Sequence, residues 1–327
     1  MKKLRLAALA CVSLVGLAAS RAGAQGTNVV GTLPNPSASV ASGGGFSADR
    51  IRDALVTVQA GGRATGVGVV LDGDGRIISS LSAVGPHDEA DVRYANGHTA
   101  HVRAMHKDAV LDLALLVPMT GHYTTGLLAS ELDPMTVELR TASLATGRPT
   151  LVPAKLKTRI DAHAKDGTLL SGAWELDHAP PAGAPLLDPQ GRSLGIAGRA
   201  CRGAGGDQAP CASVTVVIPI LSIRIFLSHT PATAVAPSPW LGINGVPDSV
   251  NGIRGVRVQA VAPRSPAEHS GLHTQTDLIV VADGQPLDTP ERLAQIVAKH
   301  AVGDVLKLSV FSGGRYRDVS VTLGAPP

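Results

Sequence analysis

The 327-residue sequence has few aromatic side chains, few cysteines and little net charge. Phe, Trp and Tyr together account for 2% of the residues, so any hydrophobic core must be built from Val, Leu, Ile and Ala. After the first segment, no run reaches the roughly 18 consecutive apolar residues that a membrane-spanning helix requires. The sequence therefore predicts no stable membrane span in the remainder of the chain.

The N-terminal segment has the three parts of a secretory signal peptide. Basic residues at positions 2–5 precede an apolar stretch at 6–19, and Ala-Gly-Ala at 22–24 fits a cleavage site. We predict that residues 1–24 are removed and that the mature protein is periplasmic or extracellular. The alternative is a lipoprotein anchor at Cys11, although the residues before it match the lipoprotein motif poorly.

Loss of that segment changes the charge and the cysteine count. Four basic residues and no acidic residue leave with it, so the formal charge falls from +3 to −1 and predicts neither nucleic acid nor anionic lipid as a partner. Cys201 and Cys211 then remain as an even pair in an oxidising compartment, which predicts a disulfide. The alternative is two unpaired, buried thiols.

Composition divides the rest of the chain into four parts. Residues 25–47 are polar and rich in Gly and Ser, which predicts a flexible leader. Residues 48–227 contain many short β patterns with tight turns, such as the Asn-Gly hairpin signal at 96–97, and predict an all-β barrel or sandwich. Residues 228–239 are rich in Pro, Ala, Ser and Thr, which predicts an extended, semi-rigid linker.

Residues 240–327 mix strand patterns with one clear helix signal. Thr289 is a good N-cap and Pro290 suits the first helical position. An apolar stripe follows at Leu293, Ile296 and Val297. This pattern predicts a small α+β domain.

Four segments carry a resemblance to a known family. "TGVGVVLDGDGRIISSLSAV", "LDLALLVP", "PPAGAPLLDPQGRSLGIAG" and "VTVVIPI" resemble the stretches that hold the catalytic histidine, the aspartate, the nucleophile and the strand after the specificity pocket in the HtrA (DegP-like) family. The resemblance covers residues 51–324. It implies a mainly β fold, a trypsin-like double β-barrel followed by a small α+β PDZ domain.

The same resemblance implies that the catalytic triad is degenerate. Aligned with the family motifs, Ser82 stands at the histidine position, Ala182 stands at the nucleophile position, and Asp112 is retained. A serine hydroxyl does not accept a proton near neutral pH, and a methyl group cannot attack a carbonyl. In a serine protease the loss of base or nucleophile alone lowers turnover about a million-fold.

The oxyanion hole of such enzymes uses the backbone N–H of the nucleophile and of the residue two positions earlier. Here the earlier residue is Pro180, which has no N–H. Two alternatives concern the neighbouring residues. His87 would serve as a displaced base if a local insertion turned it toward Asp112, and Asp112 itself would be a structural carboxylate that accepts backbone hydrogen bonds.

Three histidines, His98, His101 and His106, lie close together in the sequence. His98 and His101 on one strand would point to opposite faces, and no acid or cysteine completes a ligand set. The sequence therefore predicts exposed hairpin histidines, with a transition-metal site as the alternative. It predicts no cofactor.

The segment "WLGI" resembles the loop by which HtrA-type PDZ domains capture a peptide's C-terminal carboxylate. Consecutive backbone N–H groups from Trp240 to Ile243, at Leu241, Gly242 and Ile243, would form an anion nest. An extended peptide would add to the strand after Trp240 while its last apolar side chain enters a pocket. The residues predicted to form that pocket are Ile243, Leu293, Ile296 and Val297. The alternative is that these four are simply core residues.

These observations predict a pseudo-protease, an extracytoplasmic protein that binds polypeptides or peptide C-termini through its PDZ domain as a scaffold, adaptor or chaperone-like factor. One alternative is an active HtrA-like endopeptidase of protein quality control that uses a displaced triad or a metal. Another is a regulatory subunit that assembles with an active HtrA-like protease, because that family forms trimers and larger cages. Assembly into a homo-oligomer is a further alternative for the same reason.

Overall fold

The computed structural model describes residues 47–121, 123, 125–163, 169–202 and 212–327. The predicted signal peptide, the predicted leader apart from Ser47, and Cys211 lie outside these residues. The described residues form five helices, which are α1 Ala48–Ala54, α2 Leu81–Val84, α3 Ile220–Ser228, α4 Pro266–His269 and α5 Pro290–Val297.

The same residues form 19 strands. They are β1 Leu55–Ala60, β2 Arg63–Val70, β3 Ile77–Ser80, β4 Glu89–Arg93, β5 Thr99–Asp108, β6 Leu113–Pro118, β7 Leu139–Ser143, β8 Thr150–Ala154, β9 Leu156–His163, β10 Leu169–Leu176, β11 Pro185–Leu187, β12 Ser193–Arg202, β13 Ala212–Pro219, β14 Ile243–Val250, β15 Ile253–Val261, β16 Leu278–Ala282, β17 Gln285–Pro286, β18 Val305–Ser312 and β19 Arg315–Thr322.

The first six strands close into a barrel in the order β1-β2-β3-β6-β5-β4. β6 is central to its core, because all six of its residues are buried. Aliphatic side chains fill this interior, as the scarcity of aromatic residues requires. The barrel therefore places the residues that precede β6 beside the end of β3, with which β6 pairs.

A second sheet has the strand order β13-β10-β9-β12-β11-β7-β8. β13 also pairs with β12, so β13, β10, β9 and β12 form a closed ring of paired strands. Cys201 on β12 is buried and disulfide-bonded. Because Cys211 lies outside the described residues, the pairing of these two cysteines stays a prediction.

The third sheet has the order β14-β15-β16-β18-β19, with β17 attached to β16. β14 is an edge strand. Helix α5 begins as predicted, since the Thr289 hydroxyl accepts a hydrogen bond from the Arg292 N–H at 3.3 Å and Pro290 is the first helical residue. The predicted trypsin-like double barrel followed by a small PDZ domain is confirmed.

Some local predictions were wrong. His98 lies before β5, which begins at Thr99, and not on the strand with His101. The segment 228–239 is not fully extended, because Ser228 ends α3 and residues 231–234 form a turn with Ala234 fully buried. Among the described residues, no helix combines the length and apolarity that crossing a bilayer requires.

Candidate functional site

The first candidate site lies where the two barrel sheets meet, around Asp112. This residue precedes β6, has a positive φ of 53°, and is only 8% exposed. Its carboxylate accepts hydrogen bonds from the backbone N–H groups of Ser82, at 2.8 Å, and Arg199, at 2.7 Å. β12 thus reaches across to the carboxylate that the first barrel positions.

Two serine hydroxyls complete the surroundings of Asp112. Ser80 Oγ and Ser82 Oγ lie 2.5 Å and 2.9 Å from Asp112 Oδ2, and 2.7 Å from each other. Two hydroxyl protons are therefore shared among three contacts. Ser82 is held at the first turn of α2, beside the carboxylate. Its assignment to the histidine position of the family stays a prediction. Ser80 was missed by the sequence analysis.

The turn around Ala182 packs against this cluster. The Ala182 carbonyl accepts a hydrogen bond from the Val67 N–H at 2.8 Å, and Gly183 donates to the Ala197 carbonyl at 2.7 Å. A methyl group on Gly183 would collide with the Val67 carbonyl and with Ser79 Oγ. Only glycine fits there, so the backbone of this turn lies directly against β2 and the end of β3.

These contacts limit the chemistry of the barrel site. The Ser82 hydroxyl is engaged with Ser80 and Asp112, and it is not basic enough to accept a proton from a nucleophile. The side chain of residue 182 is a methyl group. Pro180 precedes the turn without an N–H to donate, whereas the Ala182 N–H donates no hydrogen bond within the described part of the chain.

The remaining histidines lie elsewhere. His87 is exposed in the bend after α2, and no contact joins it to Asp112 among the described residues. His101 faces Asp91, with 3.2 Å between Nδ1 and Oδ1, and His106 stacks on Phe226 with ring centroids 4.3 Å apart. His98 lies 5.5 Å from Tyr123, between ring centroids. The three histidines of the proposed metal alternative thus make separate contacts.

The second candidate site is the loop before β14. Gly242 has a φ of 87°, and a methyl group there would collide with the Ser265 Cβ, so both conformation and space require glycine. The N–H groups of Leu241 and Gly242 donate no hydrogen bond within the described residues, while their carbonyls accept from Ala267 and Ala262. The loop therefore presents unpartnered donors on a backbone that is fixed by its acceptors.

A cavity of about 370 Å³ opens beside this loop, between β14 and α5. It is lined by Ser238, Pro239, Trp240, Leu241, Gly242, Ile243, Gly245, Val256, Pro290, Leu293, Ala294, Val297 and Ala298. Apart from Ser238, the side chains that line it are apolar. Sequence analysis missed Ala294 and Ala298, which the helical repeat of three to four residues places on the same face as Leu293 and Val297.

Ile296 corrects the predicted pocket. It is 2% exposed and belongs to the hydrophobic core, and it does not line the cavity. It belongs to the same buried cluster as Val258 of β15 and Ile279 of β16. Leu293 and Val297 are both buried and part of the cavity wall, so for these two residues the core and pocket interpretations hold together.

Comparisons with known proteins agree with this architecture. A family model described as a PDZ domain matches residues 239–323. The serine protease Do-like HtrA of Lactobacillus helveticus is 22% identical over 285 residues, covering 79% of this chain and 68% of that protein. A DegP-like periplasmic serine endoprotease of Halomonas elongata is 23% identical over 280 residues, covering 81% of this chain but 57% of that protein.

Among solved structures, a serine endoprotease of Yersinia pestis is similar, with a TM-score of 0.43, 17% identity, and coverage of 86% of this chain and 99% of that chain. Two barrel sheets followed by a PDZ domain define a trypsin-like class of protein with an appended PDZ domain. Along about four fifths of its length the chain is similar to HtrA-type serine proteases, and residues 239–323 match a PDZ domain.

Proposed function

We propose that this protein is a non-proteolytic HtrA homologue that binds polypeptide C-termini through its PDZ groove. The observation that carries the proposal is the environment of Asp112. Its carboxylate is engaged by two backbone N–H groups and two serine hydroxyls, at the site where an active enzyme of this class holds a histidine. Ala182 at the nucleophile position and Pro180 before it support the same interpretation.

The PDZ groove supports the binding half of the proposal. Unpartnered N–H groups at Leu241 and Gly242 suit a carboxylate, the apolar cavity suits an apolar last side chain, and β14 offers a free edge for strand addition. A free C-terminus on an extended polypeptide satisfies all three at once. We further propose that the protein acts in the periplasm or outside the cell, with a disulfide between Cys201 and Cys211. The periplasmic relative and the disulfide-bonded state of Cys201 support this part.

A fluorophosphonate probe and unfolded casein test the first half. The mature protein should neither be labelled by the probe nor cleave casein, because the methyl side chain of Ala182 cannot form a covalent bond with the probe or with a peptide carbonyl. An active HtrA protease serves as the positive control. Covalent labelling, or casein cleavage that disappears when one residue of this protein is changed, would establish a displaced catalytic apparatus and refute the proposal.

Paired peptides test the second half. Peptides with an apolar last residue and a free carboxylate should bind about ten- to a hundredfold more tightly than their C-terminal amides, since hydrogen bonds to a charged group are worth more than neutral ones. Isothermal titration or fluorescence anisotropy measures both affinities. Equal affinity for acid and amide would remove the carboxylate nest from the proposal.

A further inference from the structure

The free edge of β14 carries a proline, Pro247, whose orientation can be derived from the sheet's own hydrogen bonds. In an antiparallel pair, opposite residues either exchange hydrogen bonds with each other or direct their N–H and C=O groups away from each other. Which of the two applies decides what each residue of β14 offers to a peptide at the edge.

Ile243 and Gly245 point their backbone groups toward the free edge. Ala262 donates to the Gly242 carbonyl at 2.9 Å, so the next pair, Ile243 with Val261, directs its groups outward. The register shifts after Asn244 and sets Gly245 opposite Val258.

Val258 confirms the orientation of Gly245. The Val258 N–H donates to the Asp277 carbonyl at 3.0 Å, and the Val258 carbonyl accepts from Gln275 at 2.7 Å. Both groups of Val258 thus face away from β14. The groups of Gly245, on the opposite strand, therefore also face away from β15 and toward the free edge.

Pro247 lies two residues beyond Gly245 without a further register shift, opposite Val256. It therefore has the same outward orientation, which explains why the β14–β15 ladder tolerates a proline. At the free edge, however, Pro247 offers a carbonyl and no N–H, and its ring occupies the space where a peptide carbonyl would approach. Before Pro247 the edge thus offers a donor and an acceptor at each of Ile243 and Gly245. Beyond it, Ser249 has the same outward orientation, but its N–H donates to the Asp248 carboxylate at 2.7 Å.

We propose that Pro247 ends the peptide ladder, so that the groove engages no more than the last four residues of a bound polypeptide. This inference rests on the proposed peptide-binding function. A peptide antiparallel to β14 places its last residue at Ile243, its third residue from the end at Gly245, and its fifth from the end at Pro247. The carbonyl of that fifth residue has no donor to accept from, and the Pro247 ring holds the peptide backbone away, so that the N–H of the fifth residue does not reach the Pro247 carbonyl either. Residues beyond the fourth therefore add no ladder hydrogen bonds.

The length dependence of binding tests the inference. Two pools of free-acid peptides are compared by fluorescence anisotropy: tetrapeptides that end in Val, Leu, Ile or Phe, and octapeptides with the same ends preceded by Ser-Ala-Ser-Ala. For the unchanged protein the two affinities should agree within about twofold. In Pro247→Ala, which regains a donor, the octapeptides should bind about three- to tenfold more tightly while the tetrapeptides are unchanged, as expected for one or two added hydrogen bonds.

Val246→Ala is the matched control, because its N–H faces β15 and the variant should show no length dependence. Octapeptides that bind the unchanged protein more than threefold better than tetrapeptides, or no gain in Pro247→Ala, would overturn the inference while leaving C-terminal capture intact. Failure of both pools to bind any of the three proteins would instead overturn the proposed function, and the inference with it.

Discussion

The two candidate sites of this protein differ in whether their polar groups have partners. In the barrel, the Asp112 carboxylate is engaged on both oxygens by Ser80, Ser82 and Arg199. In the PDZ domain, the backbone N–H groups of Leu241 and Gly242 have no partner among the described residues. The polar groups of the barrel site are hydrogen-bonded to one another, whereas two backbone donors of the PDZ site have no partner within the described residues.

Under the proposed function, that difference separates residues that stabilise the fold from residues that bind a ligand. A buried carboxylate lowers the stability of the fold unless it is hydrogen-bonded. The partners of Asp112 supply these hydrogen bonds without a histidine. The donors at the PDZ loop, by contrast, are held open because Gly242 adopts a positive φ against Ser265. If Asp112 stands at the triad position, its presence is therefore weaker evidence of function here than an unpartnered backbone group.

The largest effect is expected from introducing the catalytic groups that, under the proposed function, the barrel site lacks. Ser82→His with Ala182→Ser should give little casein cleavage, because Pro180 still withholds one oxyanion donor. Adding Pro180→Gly should raise turnover by about a hundred- to a thousandfold, the usual value of one such donor. Casein turnover measured for the double and triple variants tests this order.

The control for the repair series is Ser82→His with Pro180→Gly alone, which keeps Ala182 and should be inactive because it has no nucleophile. Should the variant with Ser82→His and Ala182→Ser already be an efficient protease, the argument about Pro180 is wrong. Should the triple variant remain inactive although its histidine contacts Asp112, the cleft differs from an active one by more than these three residues.

Removing the carboxylate tests the structural role of Asp112. Asp112→Ala should lower the free energy of unfolding by about 3 kcal/mol, because it strands two backbone N–H groups and two hydroxyls in a buried site. Urea denaturation followed by circular dichroism measures the change. The control is Asp53→Ala, an exposed carboxylate on α1, which should change stability little. An Asp112→Ala protein as stable as the unchanged one would contradict the structural role.

Sequence patterns predicted the parts of this fold that depend on local chemistry. The Thr289-Pro290 start of α5 follows from capping preferences and was found where expected. The contacts of Asp112 were not predictable in the same way, because Arg199 approaches it from a strand 87 positions further along the chain. Tertiary contacts of that kind leave no periodic signal in the sequence.

In the groove, too, the sequence predicted some residues, while others became evident only from tertiary contacts. An apolar stripe on α5 identified Leu293 and Val297, but it included Ile296, which belongs to the core. Small apolar residues such as Ala294 and Ala298 line the cavity, although their hydrophobicity alone gives little reason to select them. Pro247 was visible in the sequence, but its effect depends on which way its backbone faces. That orientation became evident only from the pairing of β15 with its neighbours.

The smallest effect is expected at Glu175, a second carboxylate of the barrel sheets whose oxygens have hydrogen-bond partners. Lys157 Nζ donates to it at 2.9 Å and Arg202 Nη2 at 2.5 Å, and these contacts, the Lys157 hydrogen bond foremost, hold the pKa of Glu175 below its ordinary value of 4.5. A lowered pKa in the folded state stabilises the fold above the unfolded pKa, and this contribution is lost as pH falls through the folded pKa.

The Glu175→Gln protein should therefore lose less stability than the unchanged protein as the pH falls below about 4.5. Urea midpoints measured across an acid pH series give both profiles. Asp53→Asn is the control, and parallel pH profiles for Glu175→Gln and the unchanged protein would show that the ion pairs contribute nothing to the folded barrel.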